Sequence, residues 1–120
     1  MRAFRWILTP AIALACCACS GSSNSPSTPT PTGTVVSIVS GSSNLTTTAY
    51  SPNPVSVSVG GTVTWMNNDN TAHTSTANGG AFDSGTIAPG ASFSRTFPAA
   101  GSFPYHCTLH PGMVGTVNVQ

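Results

Sequence analysis

The sequence predicts an all-β domain with the packing of an antiparallel sandwich or barrel, and three observations support this prediction. From Thr34 onward, apolar side chains alternate with polar ones in short runs, which is the period-two pattern of half-buried strands. Clusters of Gly, Pro, Asn and Asp separate the runs at fairly regular spacing. The three-four periodicity of an amphipathic helix does not persist anywhere in this region. Many short strands folded into one layered domain are therefore expected.

The strands are predicted from the alternation itself. Val63 and Trp65, for example, alternate with three polar or flexible neighbours, so one face of that strand is expected to point inward. In chain order the predicted strands lie at 35–39, 55–59, 62–66, 93–97, 103–107 and 114–119. The turn signals lie at 52–54, 60–61, 67–70, 78–80, 89–90 and 101. Gly permits positive φ, Pro fixes φ, and Asn or Asp tolerates the left-handed region, so each cluster favours a chain reversal.

Charge is scarce along the whole chain. Only 4% of the 120 residues are charged and the formal net charge is +1. A nucleic-acid-binding surface needs a cluster of basic side chains to displace counterions from phosphates, and three arginines do not provide one. Beyond the N-terminal Arg2 and Arg5, the remaining ionic side chains are Asp69, Asp83 and Arg95. Nucleic acid is excluded as a partner, and strong electrostatic steering of a protein partner is not expected.

Residues 1–19 are predicted to form a lipoprotein-type export signal. A positively charged start precedes the apolar stretch Trp6–Ala15, which is too short to span a bilayer, so a transmembrane helix is the weaker interpretation. Cys16 follows small residues and is the predicted lipidated N-terminus, with Cys19 as the rival position. Signal cleavage without lipidation is the alternative. The predicted location is the periplasm or the outer cell surface, with a lipid anchor to a membrane.

Residues 20–33 are predicted to be a disordered linker between the signal and a folded domain at 34–120. The linker consists almost wholly of Ser, Thr, Pro and Gly and has no large apolar side chain. Such a segment cannot bury enough surface to offset its ordering entropy, so a mobile tether is expected.

Cys107 is the single cysteine of the predicted folded domain, because the other three lie in the signal region. Exported proteins usually use cysteine in disulfides, since their compartment is oxidising. An unpaired thiol in that compartment therefore requires a specific reason, and metal ligation is one. A bound metal would also add stability to a domain that has no disulfide.

The segment 105–113 carries the residues that point to chemistry. Cys107, His110 and Met113 follow the spacing Cys-x-x-His-x-x-Met, and a second imidazole, His73, lies far upstream. A thiolate, a thioether and two imidazoles suit copper in a trigonal site with a weak axial Met. Structural zinc favours closed tetrahedra of thiolates and imidazoles and rarely uses a thioether. The combination therefore indicates one copper ion.

Each of these residues has an ordinary structural interpretation when it is taken alone. A lone Cys is often a small buried apolar residue, a lone His a hydrogen-bonded turn residue and a lone Met a core filler. The joint occurrence is what favours copper ligation. A strand end would deliver Cys107, and a tight loop through Pro111 and Gly112 would return His110 and Met113 to the same point.

The segment resembles the ligand loop of cupredoxins, the family of plastocyanin, azurin and amicyanin, and its short spacing is most similar to amicyanin. The similarity extends from about Val35 to Gln120. It implies a Greek-key β-sandwich with copper at one end of the molecule. It also implies His73, Cys107 and His110 as equatorial ligands and Met113 as the axial ligand, and the assignment of His73 depends mainly on this resemblance.

Thr74, Thr108 and His106 are each adjacent in the sequence to a predicted ligand. Many family members have Asn directly after the first histidine ligand, where it links the two ligand loops, whereas this chain has Thr74. That link must therefore be weaker or made differently here. Thr108 is a further candidate to support the ligands, with an ordinary loop role as the alternative for both threonines. His106 should point away from Cys107 and is not a predicted ligand; it is either a surface histidine or a second electron entry point.

The function expected from this site is single-electron transfer by a type 1 (blue) copper centre that cycles between Cu(I) and Cu(II). Transient redox partner proteins are expected to dock near His110, and the carrier is expected to be a monomer. An enzyme is not expected, because copper enzymes of this kind need further copper sites and only His106 remains to supply one. A copper delivery or storage protein is the alternative function.

Overall fold

A computed structural model of the chain describes residues 33–120. The predicted signal at 1–19 and all but the last residue of the predicted linker at 20–33 lie outside the described residues. Within 33–120, no helix has the length and apolar content needed to cross a bilayer.

The described residues form eight β-strands and one short 3-10 helix, Ser42–Asn44. The strands are β1 Thr34–Ile38, β2 Tyr50–Ser51, β3 Val55–Val57, β4 Thr62–Asn67, β5 Thr76–Ala77, β6 Ser92–Thr96, β7 Gly101–His106 and β8 Val114–Val119. The all-β prediction is confirmed. The strands β2 and β5 were not predicted, because two residues are too few to show an alternation.

The strands form two four-stranded sheets. One has the order β2-β1-β4-β6 and the other β3-β8-β7-β5. The predicted Greek-key β-sandwich is confirmed, but the expectation of antiparallel pairing is wrong for two pairs. β1 pairs with β4 in parallel, and β3 pairs with β8 in parallel. The chain crosses to the other sheet at β3 and returns at β4. The sequence could not predict the parallel pairs, because alternation of side chains defines the two faces of a strand but not its direction.

The core lies between the sheets and is built around Trp65. In β4 the side chains of Val63 and Trp65 are fully buried, while Met66, the residue after Trp65, points to the other face and is exposed. The Trp65 ring lies 5.2 Å from Phe82 and 5.4 Å from Tyr105, measured between ring centroids. Aromatic contacts at these distances join the two sheets, and Tyr105 lies two residues before Cys107 on the strand that leads to the predicted site.

Tyr105 packs directly over the neighbouring strand at Gly115. The two residues are paired across the β7–β8 ladder. A Cβ placed on Gly115 would lie 2.5 Å from the Tyr105 hydroxyl oxygen and would also overlap the ring carbon that bears it. The absence of a side chain at Gly115 is therefore what allows the Tyr105 ring to lie in the core.

Candidate metal centre

Three metal-binding side chains converge at one end of the sandwich. The side-chain donor atoms of His73, Cys107 and His110 all lie within 4.8 Å of one another. The Cys107 Sγ is 3.8 Å from the His73 Nδ1 and 3.8 Å from the His110 Nδ1. Within residues 33–120, Cys107 is a free thiol. The sequence-predicted equatorial residues are thus brought together by the fold.

The loop between β7 and β8 delivers Cys107, His110 and Met113. β7 ends at His106, one residue before Cys107, and β8 begins at Val114, one residue after Met113. The Cys107 amide donates to the Met113 carbonyl at 3.1 Å, and the Met113 amide donates to the His110 carbonyl at 2.9 Å. The loop is closed by its own backbone. Cys107 and Met113 are fully buried, and His110 is half-buried.

His73 is fixed by a different part of the chain. It forms an isolated β-bridge with Ile87, in which the His73 amide donates to the Ile87 carbonyl at 3.2 Å and the reverse bond measures 2.8 Å. The side chain of His73 is fully buried. Two backbone hydrogen bonds and complete burial leave the imidazole little freedom, so the fold holds it beside Cys107.

A carboxylate behind His73 determines which of its ring nitrogens carries the proton. The His73 Nε2 is 2.8 Å from the Asp69 Oδ2 and 3.0 Å from the Ser42 Oγ. An ionised carboxylate only accepts hydrogen bonds, so Nε2 carries the proton and donates it to Asp69. The lone pair of neutral His73 is then on Nδ1, the nitrogen that faces the Cys107 sulfur.

Asp69 is buried, with an exposed fraction of 6%. The hydrogen bond from His73 holds the pKa of the Asp69 carboxyl well below its usual range, and the Gly41 amide adds to this effect. In the sequence, Asp69 could be recognised only as part of a turn, and its contact with His73 was not predicted. One feature of the sequence could have indicated the contact: Asp69 is one of only two acidic residues in the chain, and it lies four residues before His73.

Thr74 links the two ligand loops. Its Oγ1 accepts the Thr108 amide at 2.9 Å and lies 3.2 Å from the Thr108 hydroxyl. Its own amide donates to the Cys107 Sγ at 3.3 Å. The predicted link between the two loops is therefore made by a hydroxyl, and the interpretation of Thr74 as an ordinary loop residue is wrong.

Replacing Thr74 by Val should destabilise the protein by about 1–2 kcal/mol, because the Thr108 amide then loses its acceptor without any change in side-chain shape. The measurement is the urea unfolding midpoint at constant slope. Thr64→Val is the matched control, since Thr64 shares an exposed hydroxyl pair with Ser94 at 2.7 Å. The free energy of unfolding of the Thr64→Val protein should stay within about 0.5 kcal/mol of the parent value. Equal effects of the two substitutions would show that Thr74 is not a structural link.

His106 lies outside the cluster, in agreement with its predicted orientation. It is half-buried, and its Nδ1 is 2.6 Å from the Asn78 Oδ1. In the sheet it pairs with Thr76 on one side and Val114 on the other. Its role as an electron entry point stays a prediction.

The donor set fits a copper ion. An ion about 2.3 Å from sulfur and about 2.0 Å from nitrogen separates the two donors by about 3.7 Å at a trigonal angle and about 3.5 Å at a tetrahedral one. The observed separation of 3.8 Å on both sides of Cys107 is close to these values, so the sulfur and either imidazole nitrogen can bind the same ion. Two imidazoles and a thiolate, with the buried Met113 closing the same loop, are the donors that copper favours.

Comparisons with known proteins find a matching family profile, a similar plastocyanin and similar solved structures. The profile described as copper binding proteins of the plastocyanin/azurin family matches residues 36–120. A plastocyanin from Scenedesmus fuscus is 34% identical in an 84-residue alignment, and the match covers 59% of this chain and 86% of that protein. Among solved structures, a purple cupredoxin from Nitrosopumilus maritimus is 32% identical with a TM-score of 0.67, covering 72% of this chain and 99% of that one. A Cu(I) amicyanin variant is 30% identical with a TM-score of 0.63, covering 73% and 82%.

Proposed function

Because the chain belongs to the plastocyanin/azurin family of copper-binding proteins, we propose that it carries single electrons through one type 1 copper centre. His73, Cys107 and His110 are the proposed equatorial ligands, and Met113 is the proposed axial ligand. The observation that carries this proposal is the Cys107 Sγ placed 3.8 Å from each of two imidazole nitrogens.

Bound copper would supply the redox chemistry, gaining one electron as Cu(II) becomes Cu(I) and losing it in the reverse step. The protein's part is to hold the donors in one arrangement for both states, which lowers reorganisation. His73, Cys107 and Met113 are fully buried, so bulk water is kept from these donors. The backbone bonds of the loop and the link from Thr74 oppose movement of the ligands.

His110 is the proposed contact for redox partners. It is half-buried, and its neighbour Leu109 is 51% exposed, so an apolar patch surrounds the edge of the site. Pro111 and Gly112 are exposed beside it. Transient redox complexes use small interfaces, and this patch is suited to one. We expect a monomeric carrier whose docking depends little on charge, since Asp83 and Arg95 are the exposed ionic residues within 33–120.

Colour is the test of the carrier proposal. Addition of Cu(II) to the purified protein should give an intense visible absorption that bleaches with ascorbate, because a thiolate bound to Cu(II) absorbs strongly and Cu(I) does not. The hue is not the criterion, since a structural relative is described as purple. If the protein binds one copper and stays colourless through the cycle, the carrier proposal fails and delivery or storage of Cu(I) is the better function.

Export and lipid anchoring remain proposals that rest on the sequence before residue 33. Cys16, or its rival Cys19, would carry the lipid, and the segment 20–33 would tether the copper domain near a membrane. The donor and acceptor would then be exported or membrane-bound redox proteins. The mass of the mature N-terminus distinguishes a lipidated cysteine from a free amine.

A further inference from the structure

Asp69 is a buried carboxylate in a domain that offers it no basic partner of the usual kind. The chain has no lysine, and Arg95, the single arginine within residues 33–120, is exposed on β6. The Asp69 Oδ2 instead lies 2.8 Å from the Nε2 of His73, a neutral hydrogen-bond donor. Burial of a carboxylate is costly unless the group is hydrogen-bonded and its charge is compensated. The compensation must therefore come from the hydrogen bonds around Asp69 and from the metal site behind His73.

Each oxygen of the Asp69 carboxylate accepts two hydrogen bonds. Oδ1 accepts the amides of Gly41 at 3.1 Å and Asn70 at 2.8 Å. Oδ2 accepts the Ser42 hydroxyl at 3.1 Å and faces the His73 Nε2 at 2.8 Å. The carboxylate is saturated by these four donors and cannot rotate without losing several of them. It therefore holds His73 at a fixed angle and ties the 3-10 helix region to the histidine loop.

We propose that Asp69 is a positioning residue for the copper centre: it keeps the proton of His73 on Nε2, and its charge lowers the reduction potential. The inference rests on the proposed function of the site. The Cys107 thiolate and the Asp69 carboxylate together carry two negative charges, which balance Cu(II) and exceed the charge of Cu(I) by one. The oxidised state is stabilised more than the reduced state, and hydrogen bonds behind a ligating histidine tune the metal in this way.

The variant Asp69→Asn tests both parts of this proposal. The Gly41 and Asn70 amides require an acceptor at the Oδ1 position, so the Asn carbonyl should turn toward them. The Asn NH₂ group then faces the His73 Nε2, which must give up its proton and accept. The proton moves to Nδ1, the nitrogen that faces Cys107. Nitrogen-15 NMR of the copper-free protein should therefore show His73 protonated on Nε2 in the parent and on Nδ1 in the variant.

The reduction potential of the copper-loaded protein is the second measurement. Loss of the carboxylate charge should lower the affinity for Cu(II) relative to Cu(I) by about tenfold, which is a rise of about 59 mV for one electron. Asp83→Asn is the matched control, because it removes the same charge from an exposed position. That control should leave the potential close to the parent value, since solvent and salt screen an exposed charge.

A milder variant covers the case in which Asp69→Asn does not fold. Ser42→Ala removes one hydroxyl but leaves the carboxylate, so His73 should keep its Nε2 proton. The ratio of Cu(II) affinity to Cu(I) affinity should then change by much less than tenfold. A proton on Nδ1 in Ser42→Ala would overturn the proposal. Equal potentials for Asp69→Asn and Asp83→Asn, or an Nε2 proton in Asp69→Asn, would also overturn it. These outcomes differ from failure of the copper centre itself, in which the parent protein would lack the intense Cu(II) absorption.

Discussion

Replacing Cys107 by Ser should abolish the intense visible absorption of the Cu(II) protein completely. The absorption requires a thiolate bonded to Cu(II), and a serine hydroxyl is a harder and far weaker ligand that stays protonated at neutral pH. Cys107 is fully buried between the two imidazoles, and in residues 33–120 no other cysteine is present to replace it. The measurement is a Cu(II) titration followed by visible absorption, with far-UV circular dichroism to establish that the variant is folded.

Cys17→Ser is the matched control for this experiment. It makes the same chemical change in the predicted signal region, away from the copper-binding motif. The absorption per bound copper should equal that of the parent. An intense band that survived in a folded Cys107→Ser protein would rule out Cys107 as the copper ligand and would remove the main support for the carrier proposal.

Gly115→Ala is expected to be the most destabilising single-methyl change in the domain. The new Cβ would lie 2.5 Å from the Tyr105 hydroxyl oxygen, well inside van der Waals contact, and the ring has the core residue Trp65 behind it. Overpacking of this kind costs about 1–3 kcal/mol and occasionally more. For a domain of this size, each kcal/mol lowers the melting temperature by about 4–8 °C. Thermal unfolding followed by circular dichroism measures the effect.

Two further variants isolate the cause of that loss. Gly79→Ala is the control, because a Cβ at Gly79 meets nothing within 4 Å, and it should change the free energy of unfolding by no more than about 0.5 kcal/mol. Tyr105→Phe removes the hydroxyl, which has no hydrogen-bond partner among the described residues and whose pKa is raised to about 12 by burial. In the Tyr105→Phe background, Gly115→Ala should cost less than in the parent but still more than Gly79→Ala, because the overlap with the ring carbon remains. The same cost in both backgrounds would contradict a clash with the Tyr105 hydroxyl.

The sequence was sufficient to predict the fold class and the family, and both are confirmed. Alternation located the six longer strands, because burial of one face imposes a period of two wherever a strand is long enough to display it. The motif from Cys107 to Met113 could be recognised because its residues lie within one hairpin loop, so that spacing along the chain translates directly into proximity.

Contacts between distant segments could not be predicted in the same way. The parallel pairing of β1 with β4 depends on where the chain crosses between sheets, and the alternation of side chains is the same for either strand direction. The close approach of Gly115 and Tyr105 depends on the β7–β8 register. The sequence indicated only that the link at Thr74 must be weaker or made differently. The bond from the Thr108 amide to the Thr74 hydroxyl depends on how two separate loops are brought together.

The proposed copper-binding motif could be recognised from the sequence alone, since Cys107, His110 and Met113 are close in the chain and chemically distinctive. The tertiary structure decided what lies around them. It placed His73 beside Cys107 through a bridge to Ile87, and it turned Asp69, a turn residue in the sequence, into a buried carboxylate on the far nitrogen of His73. The physical reason for this division is that the donor atom of a ligand is part of its own side chain and can be read from the sequence. The proton position and electrostatic environment of that ligand belong to its neighbours, which come from segments that meet only when the sandwich folds.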